Sequence, residues 1–337
     1  MFHQYKHVFL PFLYEKSGVK DIRIYNLWEE SDGINRGVIG KGCAMIIDCH
    51  MHYEPRMFPV ERMLACMDRH GIDRTALVPT MVEPFTVKNR IKRISNAFLR
   101  YTLVYCNPLG RNFYHAFLID SKGYFHVLWD KYRIIDRPDN ASVAEVLERH
   151  PDRFFGWVFV NPAVDENPLR EIERWSAHPG MVGIKAHTFW HRYSVEKLDP
   201  VAAWCREHDK PFLIHLGSRG GSGDFRRLPE KYPGVKIIFA HAGIPYYRGL
   251  WSYIKGRKNL FVDLSSPYLS RGLVRMAVDF LGAENCLYGT DGPYGAQALG
   301  EDYDYGWIKG WIESLPVSDR EREMIFHVNF ESVCGLG

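Results

Sequence analysis

The chain has 337 residues, 46% of them hydrophobic and 25% charged, with 43 basic and 40 acidic side chains and a formal net charge of +3. That balance belongs to an ordinary globular protein, and the length suits either two average domains or one large α/β domain with insertions. Because charges of both signs are mixed along the chain, with no long block of one sign, a nucleic-acid or membrane partner is not expected.

The N-terminal stretch Val8-Phe9-Leu10-Pro11-Phe12-Leu13 is too short to span a bilayer and lacks a small-residue cleavage site, so no secretory signal is expected. Cys43, Cys49, Cys66, Cys106, Cys205, Cys286 and Cys334 are odd in number and contain no Cys-x-x-Cys pair. They read as reduced thiols of a cytoplasmic protein. Residues 1–44 are rich in charge and glycine and read as an N-terminal extension, or as sequence upstream of a natural start at Met45.

From residue 45 onward, short runs rich in Val, Ile and Phe alternate with amphipathic stretches, the pattern of repeated βα units. The first strand is Met45 to Asp48, followed by a helix from Val60 to His70 that stops at Gly71, and by a strand from Thr75 to Pro79. After a long intervening segment come a helix over Ser142–Arg149, a strand over Phe154–Val160, a helix over Asp165–Ala177 and a strand over Met181–Ala186. A helix over Val195–His208 leads to strands at Pro211–Leu216, Val235–Ala240, Leu260–Leu264 and Cys286–Tyr288. Eight strands, most of them separated by helices, predict a closed (β/α)8 TIM barrel over 45–337.

Residues 83–137 are too long for an ordinary βα connection and read as an insertion after strand 2, lying over the barrel mouth. Within it, 113–119 and 124–129 flank Asp120-Ser121-Lys122-Gly123, which predicts a β-hairpin. Arg111, Tyr114, His115, His126 and Trp129 are its candidates for touching substrate.

No dinucleotide glycine fingerprint follows the first strand; Asp48-Cys49-His50-Met51-His52 stands there instead. Residues two apart on a strand share a face, so His50 and His52 point to one place, and imidazole is the commonest metal ligand. Three later strands end in the same chemistry: Phe212-Leu213-Ile214-His215, Ile238-Phe239-Ala240-His241 and Tyr288-Gly289-Thr290-Asp291. All strand C-termini of such a barrel meet at one face, where its catalytic residues sit.

These motifs, with Gly183-Ile184-Lys185-Ala186-His187 and His150-Pro151-Asp152-Arg153-Phe154-Phe155-Gly156, resemble the amidohydrolase superfamily, in its amidohydrolase-2 branch, which includes aromatic-acid decarboxylases. The resemblance implies His50, His52, His215 and Asp291 as ligands of one divalent metal ion, expected to be zinc. It implies that His241 is a catalytic base or water-positioning residue, and a small-molecule substrate; relatives in this branch are often homodimers. An acid beside a metal-bound water can accept its proton, so Asp291 reads as both ligand and catalytic proton shuttle. In some branches a carbamylated lysine bridges two metals, but Lys185 reads instead as a buried ammonium paired with a carboxylate. Asp263 is a candidate to orient a ligand histidine or to cap the next helix. His187, Arg219 and Arg111 are candidates to bind substrate.

Two enzymatic functions share this ligand set. The first expectation is hydrolysis of an ester, lactone or amide by metal-activated water. The alternative is nonoxidative decarboxylation of a small unsaturated or aromatic acid, for which a cationic pocket would be the discriminating feature. A barrel that binds without turnover is disfavoured by the intact ligand set.

Overall fold

A computed structural model describes residues 45–85, 90–265, 268–294, 303 and 305–336; the expected extension 1–44 lies outside them. Eight strands form one parallel sheet: β1 (Ile47–His52), β2 (Arg74–Val78), β5 (Phe154–Phe159), β6 (Met181–His187), β7 (Phe212–His215), β8 (Ile237–Phe239), β9 (Leu260–Asp263) and β10 (Cys286–Leu287), neighbours in that order. β3 (Tyr124–Val127) and β4 (Asp130–Arg133) pair antiparallel on their own. The ends of the large sheet meet where Cys49 N donates to Tyr288 O at 3.0 Å and Met51 bridges Gly292, which makes the expected (β/α)8 barrel.

The strands read as apolar runs because both of their faces are buried. One set, including Ile47, Val78, Trp157, Leu213, Ile238 and Leu287, fills the barrel interior, closed by Phe330, Val333 and Cys334 from the C-terminal segment. The other set packs outward against helices.

The helices are α1 (Val60–His70), α2 (Arg90–Tyr105), α3 (Asn107–Phe117), α4 (Asn140–Arg149), α5 (Leu169–Trp175), α6 (Asp199–Glu207), α7 (Arg227–Lys231), α8 (Tyr247–Ile254) and α9 (Arg271–Leu281). Near the C-terminus follow α10 (Gly306–Glu313), α11 (Asp319–Glu323) and α12 (Asn329–Cys334). α1 buries Val60, Met63, Cys66 and Met67 at helical spacing and ends at Gly71, whose φ of 63° is the left-handed cap that glycine adopts without a Cβ penalty. The helix expected over 195–208 is a 3₁₀ turn, Val195–Leu198, followed by α6, which restarts with Pro200 in its first turn. Among the described residues no helix is long and apolar enough to cross a membrane.

The insertion departs from expectation. Residues 107–117, read partly as a hairpin arm, form α3: Pro108 suits a helix start, and Tyr114, buried, follows Gly110 by four. Gly110 is required for close approach, since a Cβ there would come within 2.5 Å of the α2 backbone at Leu103 N. The turn at Asp120 does form, its carboxylate accepting from Lys122 N and Tyr124 N. Its upstream arm is a single bridge, Ile119 to Phe125, and the true hairpin partner of 124–127 is 130–133, reversed at Leu128, whose φ is 58°.

Candidate metal centre

Strict alternation from Ile47 would send Cys49 and Met51 inward with it and turn His50 and His52 toward the helices. A register shift between Asp48 and Met51 breaks that alternation. Ile47 and Cys49 join the interior, Met51 joins the outer layer, and His50 and His52 line a cavity at the barrel mouth. Asp48 fixes the bulge. Its carboxylate accepts from His50 N and Thr290 N, both at 3.1 Å, and from the Thr290 hydroxyl at 2.5 Å, tying β1 to the segment that carries Asp291. Burial pushes the Asp48 carboxyl up to about 7, with these hydrogen bonds acting against it.

His241 and Asp291 reach the same cavity by a different device. Ala240 already points into the barrel, so its neighbour would face outward, but His241 has a φ of 56° that turns it back, and Asp291 has the same φ. A non-glycine residue in this region costs on the order of 1–3 kcal/mol. Specific hydrogen bonds hold both: Asp291 N donates to His50 O at 2.7 Å, and His241 N donates to Asp263 Oδ1 at 2.9 Å.

The second nitrogen of each imidazole sets what the first can do. His50 Nδ1 donates to Asp263 Oδ2 at 2.9 Å, His215 Nδ1 to Leu216 O at 3.0 Å, and His241 Nδ1 to Ser265 O at 3.2 Å. In neutral rings this arrangement turns the Nε2 lone pair toward the cavity, where that of His50 meets the Lys185 ammonium at 3.2 Å. His187 is the reverse: its Nδ1 accepts from Trp190 N at 3.0 Å, so its proton sits on Nε2 and it offers a donor. Burial, reinforced at His50 by the Lys185 ammonium, pushes His50 down to about 4. Burial also lowers His52, His187 and His215, so these rings are neutral and competent as ligands or donors near pH 7. Asp263 and Asp291 are raised by burial but carried well below the ordinary carboxylate range, Asp263 by His50 first and Asp291 by His241 and His52.

His50 Nε2 and His52 Nε2 converge on Asp291 Oδ1, at 3.6 and 3.1 Å, and the three residues offer ligand atoms within 4.8 Å of one another. Two neutral imidazoles and a carboxylate fit a divalent cation. A buried His52 Nδ1 without a hydrogen-bond partner is a further mark of a site whose polar groups are not fully used within the protein. A second acidic group, His50 with His241 and Asp263, is accounted for by the hydrogen bonds just described. His215 lines the same cavity, its ring stacked at 3.9 Å on His187 and 4.7 Å from that of His241. Lys185 is fully buried, with Nζ 3.2 Å from His50 Nε2, and burial lowers it to about 8.

Above this polar floor the cavity, about 770 Å³ including its open part, is walled by Phe85, Phe125, Trp190, Tyr268 and Tyr294 and roofed by Asn96, Leu99 and Arg100 of α2. Arg111 and Arg219, expected to bind substrate, are used elsewhere. Arg111 donates to Ser218 O at 2.9 Å and lies 4.4 Å over the Tyr246 ring; Arg219 is exposed and bonded to Asn112. Of the other insertion candidates, Tyr114 is buried and bonded through its hydroxyl to Tyr268 at 2.7 Å, His126 pairs with Asp120, and Trp129 is exposed. Sequence reasoning missed Asp48, Thr290, Ser265 and the whole α2 contribution. Only Asp48, next to the His-x-His pair, carried a local signal.

A family model described as amidohydrolase matches residues 47–331. The gamma-resorcylate decarboxylase of Polaromonas sp. (strain JS666) is 23% identical over 256 residues, covering 59% of this chain and 76% of that protein. Among solved structures, the 2,6-dihydroxybenzoate decarboxylase from Rhizobium is similar with a TM-score of 0.54 and 15% identity, covering 87% of this chain and 99% of that one. A dihydroxybenzoic acid decarboxylase from Polaromonas sp. JS666, solved with manganese and 2-nitroresorcinol, has a TM-score of 0.55 and 17% identity, covering 87% and 97%.

Proposed function

The chain belongs to the amidohydrolase family, and from that premise we propose that it is a metal-dependent decarboxylase of small aromatic acids. The observation that carries this reading is the cavity: ligand-competent imidazoles and Asp291 on the floor, aromatic side chains on the walls and the cation Arg100 in the roof. The relatives named above, all decarboxylases of hydroxylated benzoates, support the same choice. Hydrolysis, the first expectation from sequence, becomes the second reading, because a cavity lined by aromatic rings and by Arg100 suits an aromatic carboxylate better than an ester or amide.

His50, His52 and Asp291, with His215 as a further nitrogen donor, would hold the metal ion. When bound, that ion supplies Lewis-acid anchoring and polarisation of substrate oxygens. The donor set suits zinc or manganese. Phe85, Trp190 and Tyr294 clamp the ring, and the Nε2–H of His187 donates to a substrate oxygen. Arg100 pairs with an anionic group at the roof. His241, with its Nδ1 held by Ser265, takes a proton on Nε2 and gives it to the ring carbon that bears the carboxylate. The bond from that carbon to the carboxylate then breaks, its electrons return to the ring and carbon dioxide leaves, so one proton and one aromatic carboxylate become arene and carbon dioxide.

The test is a turnover screen of protein loaded separately with zinc and manganese, scoring carbon dioxide release from hydroxylated benzoates beside hydrolysis of aryl esters, lactones and amides. Carbon dioxide release from a benzoate is the expected result. Hydrolysis without any carbon dioxide release would replace this reading with the second.

A further inference from the structure

Two tyrosines line the cavity, and their hydroxyls are used differently. Tyr294 gives its proton to Val82 O at 3.0 Å, a backbone acceptor, so it offers the cavity a ring face. Tyr268 stands on the segment between β9 and α9, partly exposed, with its ring edge-on to that of His241 at 5.6 Å. Its hydroxyl lies 2.7 Å from that of Tyr114 on α3. Tyr114 is 2% exposed, is not among the side chains that line the cavity, and stacks at 4.0 Å on Phe189. Burial fixes the direction of the bond between them. Among the described residues Tyr268 is the one hydrogen-bond partner of the Tyr114 hydroxyl. A buried O–H without an acceptor loses its hydration for nothing in return, so Tyr114 donates and the Tyr268 oxygen accepts. The proton of Tyr268 is then directed away from Tyr114. Burial also raises both phenols above their ordinary range, so both stay protonated, and able to donate, at neutral pH.

We infer that Tyr268 determines specificity by donating its O–H to a hydroxyl oxygen on the substrate ring, and that Tyr114 is a positioning residue that holds it in that orientation. The inference rests on the proposed function for its ligand, an aromatic acid. Charge selects which oxygen Tyr268 takes. The anionic groups of such a substrate have cationic partners in the proposed metal ion and Arg100, whereas a neutral phenol donor matches a neutral hydroxyl. A donor held on the leaving carboxylate would moreover stabilise negative charge that the reaction removes, and so would favour the bound substrate over the transition state. On a ring oxygen the same donor chooses the substrate without opposing the chemistry. Tyr114 belongs to the insertion, so through Tyr268 the insertion sets which ring is accepted by a residue that does not itself touch the ring.

Calorimetric titration of the zinc-loaded full chain tests this without turnover. The ligands are hydroxybenzoates and counterparts in which one hydroxyl at a time is replaced by fluorine, which is small and accepts hydrogen bonds poorly. In the unmodified chain, one ring position should prefer hydroxyl over fluorine in a way that Tyr268→Phe removes, a loss of about three- to tenfold in that ratio. Preferences at the other positions, and metal content, should stay as they were. Tyr114→Phe keeps the stacking on Phe189 and should lower the same ratio by a smaller factor. Added to Tyr268→Phe it should change the ratio no further, because it acts only through Tyr268. Tyr268→Phe alone strands the buried Tyr114 proton; if that variant failed to fold, the double variant, which removes both hydroxyls, gives the same reading in its place. Ratios unchanged in a folded variant, or every ligand weakened alike, would overturn this inference and leave the aromatic-acid reading standing. Failure of the unmodified chain to bind any benzoate would overturn that reading and this inference with it.

Discussion

The floor and the roof of the cavity are built on opposite physical plans. On the floor, strand ends of a closed sheet deliver His50, His52, His215, His241 and Asp291, and all but His215, which ends β7 in regular register, are fixed by a backbone device: a bulge latched by Asp48, or a left-handed residue held by a neighbour's carbonyl or carboxylate. On the roof, α2 and a short hairpin bring Asn96, Leu99, Arg100, Phe125 and Val127 to the mouth, with Gly110 letting α3 pack against α2 behind them. Floor groups are over-determined by hydrogen bonds and so suited to chemistry that demands fixed atoms. Roof groups ride on a packed but separable layer, suited to choosing what enters. The difference implies that substitutions on the floor should remove metal or turnover, whereas those on the roof should change affinity for substrate.

The strongest way to break that division is at a ligand. His50→Ala removes one nitrogen of the proposed metal set and leaves Asp263 buried without its imidazole partner. Metal content measured by plasma emission should fall from near one equivalent to under about a tenth, and kcat/KM should fall by about a thousandfold or more, in line with loss of an electrostatic centre. Retention of metal and turnover would remove His50 from the site.

Next comes His241→Asn. Under the proposed function His241 carries the proton beside the metal set rather than joining it, with its Nδ1 held by Ser265 and its ring 5.4 Å from that of His50. Metal content should stay within a few-fold of the parent, while kcat drops by about 10²–10⁴, the usual range for loss of a proton-transfer group. Loss of both together would make His241 a ligand.

A smaller effect is expected one step behind the ligands. Asp263 accepts from His50 Nδ1 with one oxygen and from His241 N with the other, so a single carboxylate sets the orientation of two floor histidines. Asp263→Asn keeps the shape but can accept at only one position. Metal affinity, read by competition with a chelating dye, should weaken by about 10–100-fold, the range typical for groups that orient a ligand. An unchanged affinity would mean that His50 holds its pose without Asp263.

The same division explains what could be read from the amino-acid order alone. Barrel strands are buried on both faces, so each appears as an apolar run whose final polar residue stands out, and His50, His52, His215, His241 and Asp291 were all visible in that way. The means that aim them were hidden. A bulge at Asp48 and a positive φ at His241 and Asp291 leave no compositional mark, and simple alternation from Ile47 would have pointed the histidine pair the wrong way. Asp263 was visible as a strand-end acid, but whether it oriented a histidine or capped a helix required the distance to His50. The roof was less legible still. α3 carries a glycine and aromatic residues that also suit a hairpin, so its helical form depends on packing against α2. Arg100 sits in an amphipathic helix that sequence offered no reason to place over the histidines, while Arg111 and Arg219, nearer to recognisable motifs, are used in loop contacts.

Arg100 therefore provides the finest test of the roof. It is the arginine among the residues lining the cavity, carried on α2 beside Asn96 and Leu99, and it faces a floor whose own cation, Lys185, is buried against His50. Arg100→Gln retains length and hydrogen-bonding capacity and removes only the charge. A charge-assisted hydrogen bond to a substrate anion contributes about 1.5–3 kcal/mol, so KM for an aromatic carboxylate should rise about ten- to a hundredfold. kcat should change less than KM, and metal content should not change at all, because no atom of the metal set depends on α2. A neutral ester of the same ring should bind the two proteins alike, which separates loss of charge recognition from a general disturbance of the roof. If kcat fell with KM unchanged, Arg100 would be acting on the reacting carboxylate in the transition state, and the line between a floor that reacts and a roof that selects would have to be redrawn through α2.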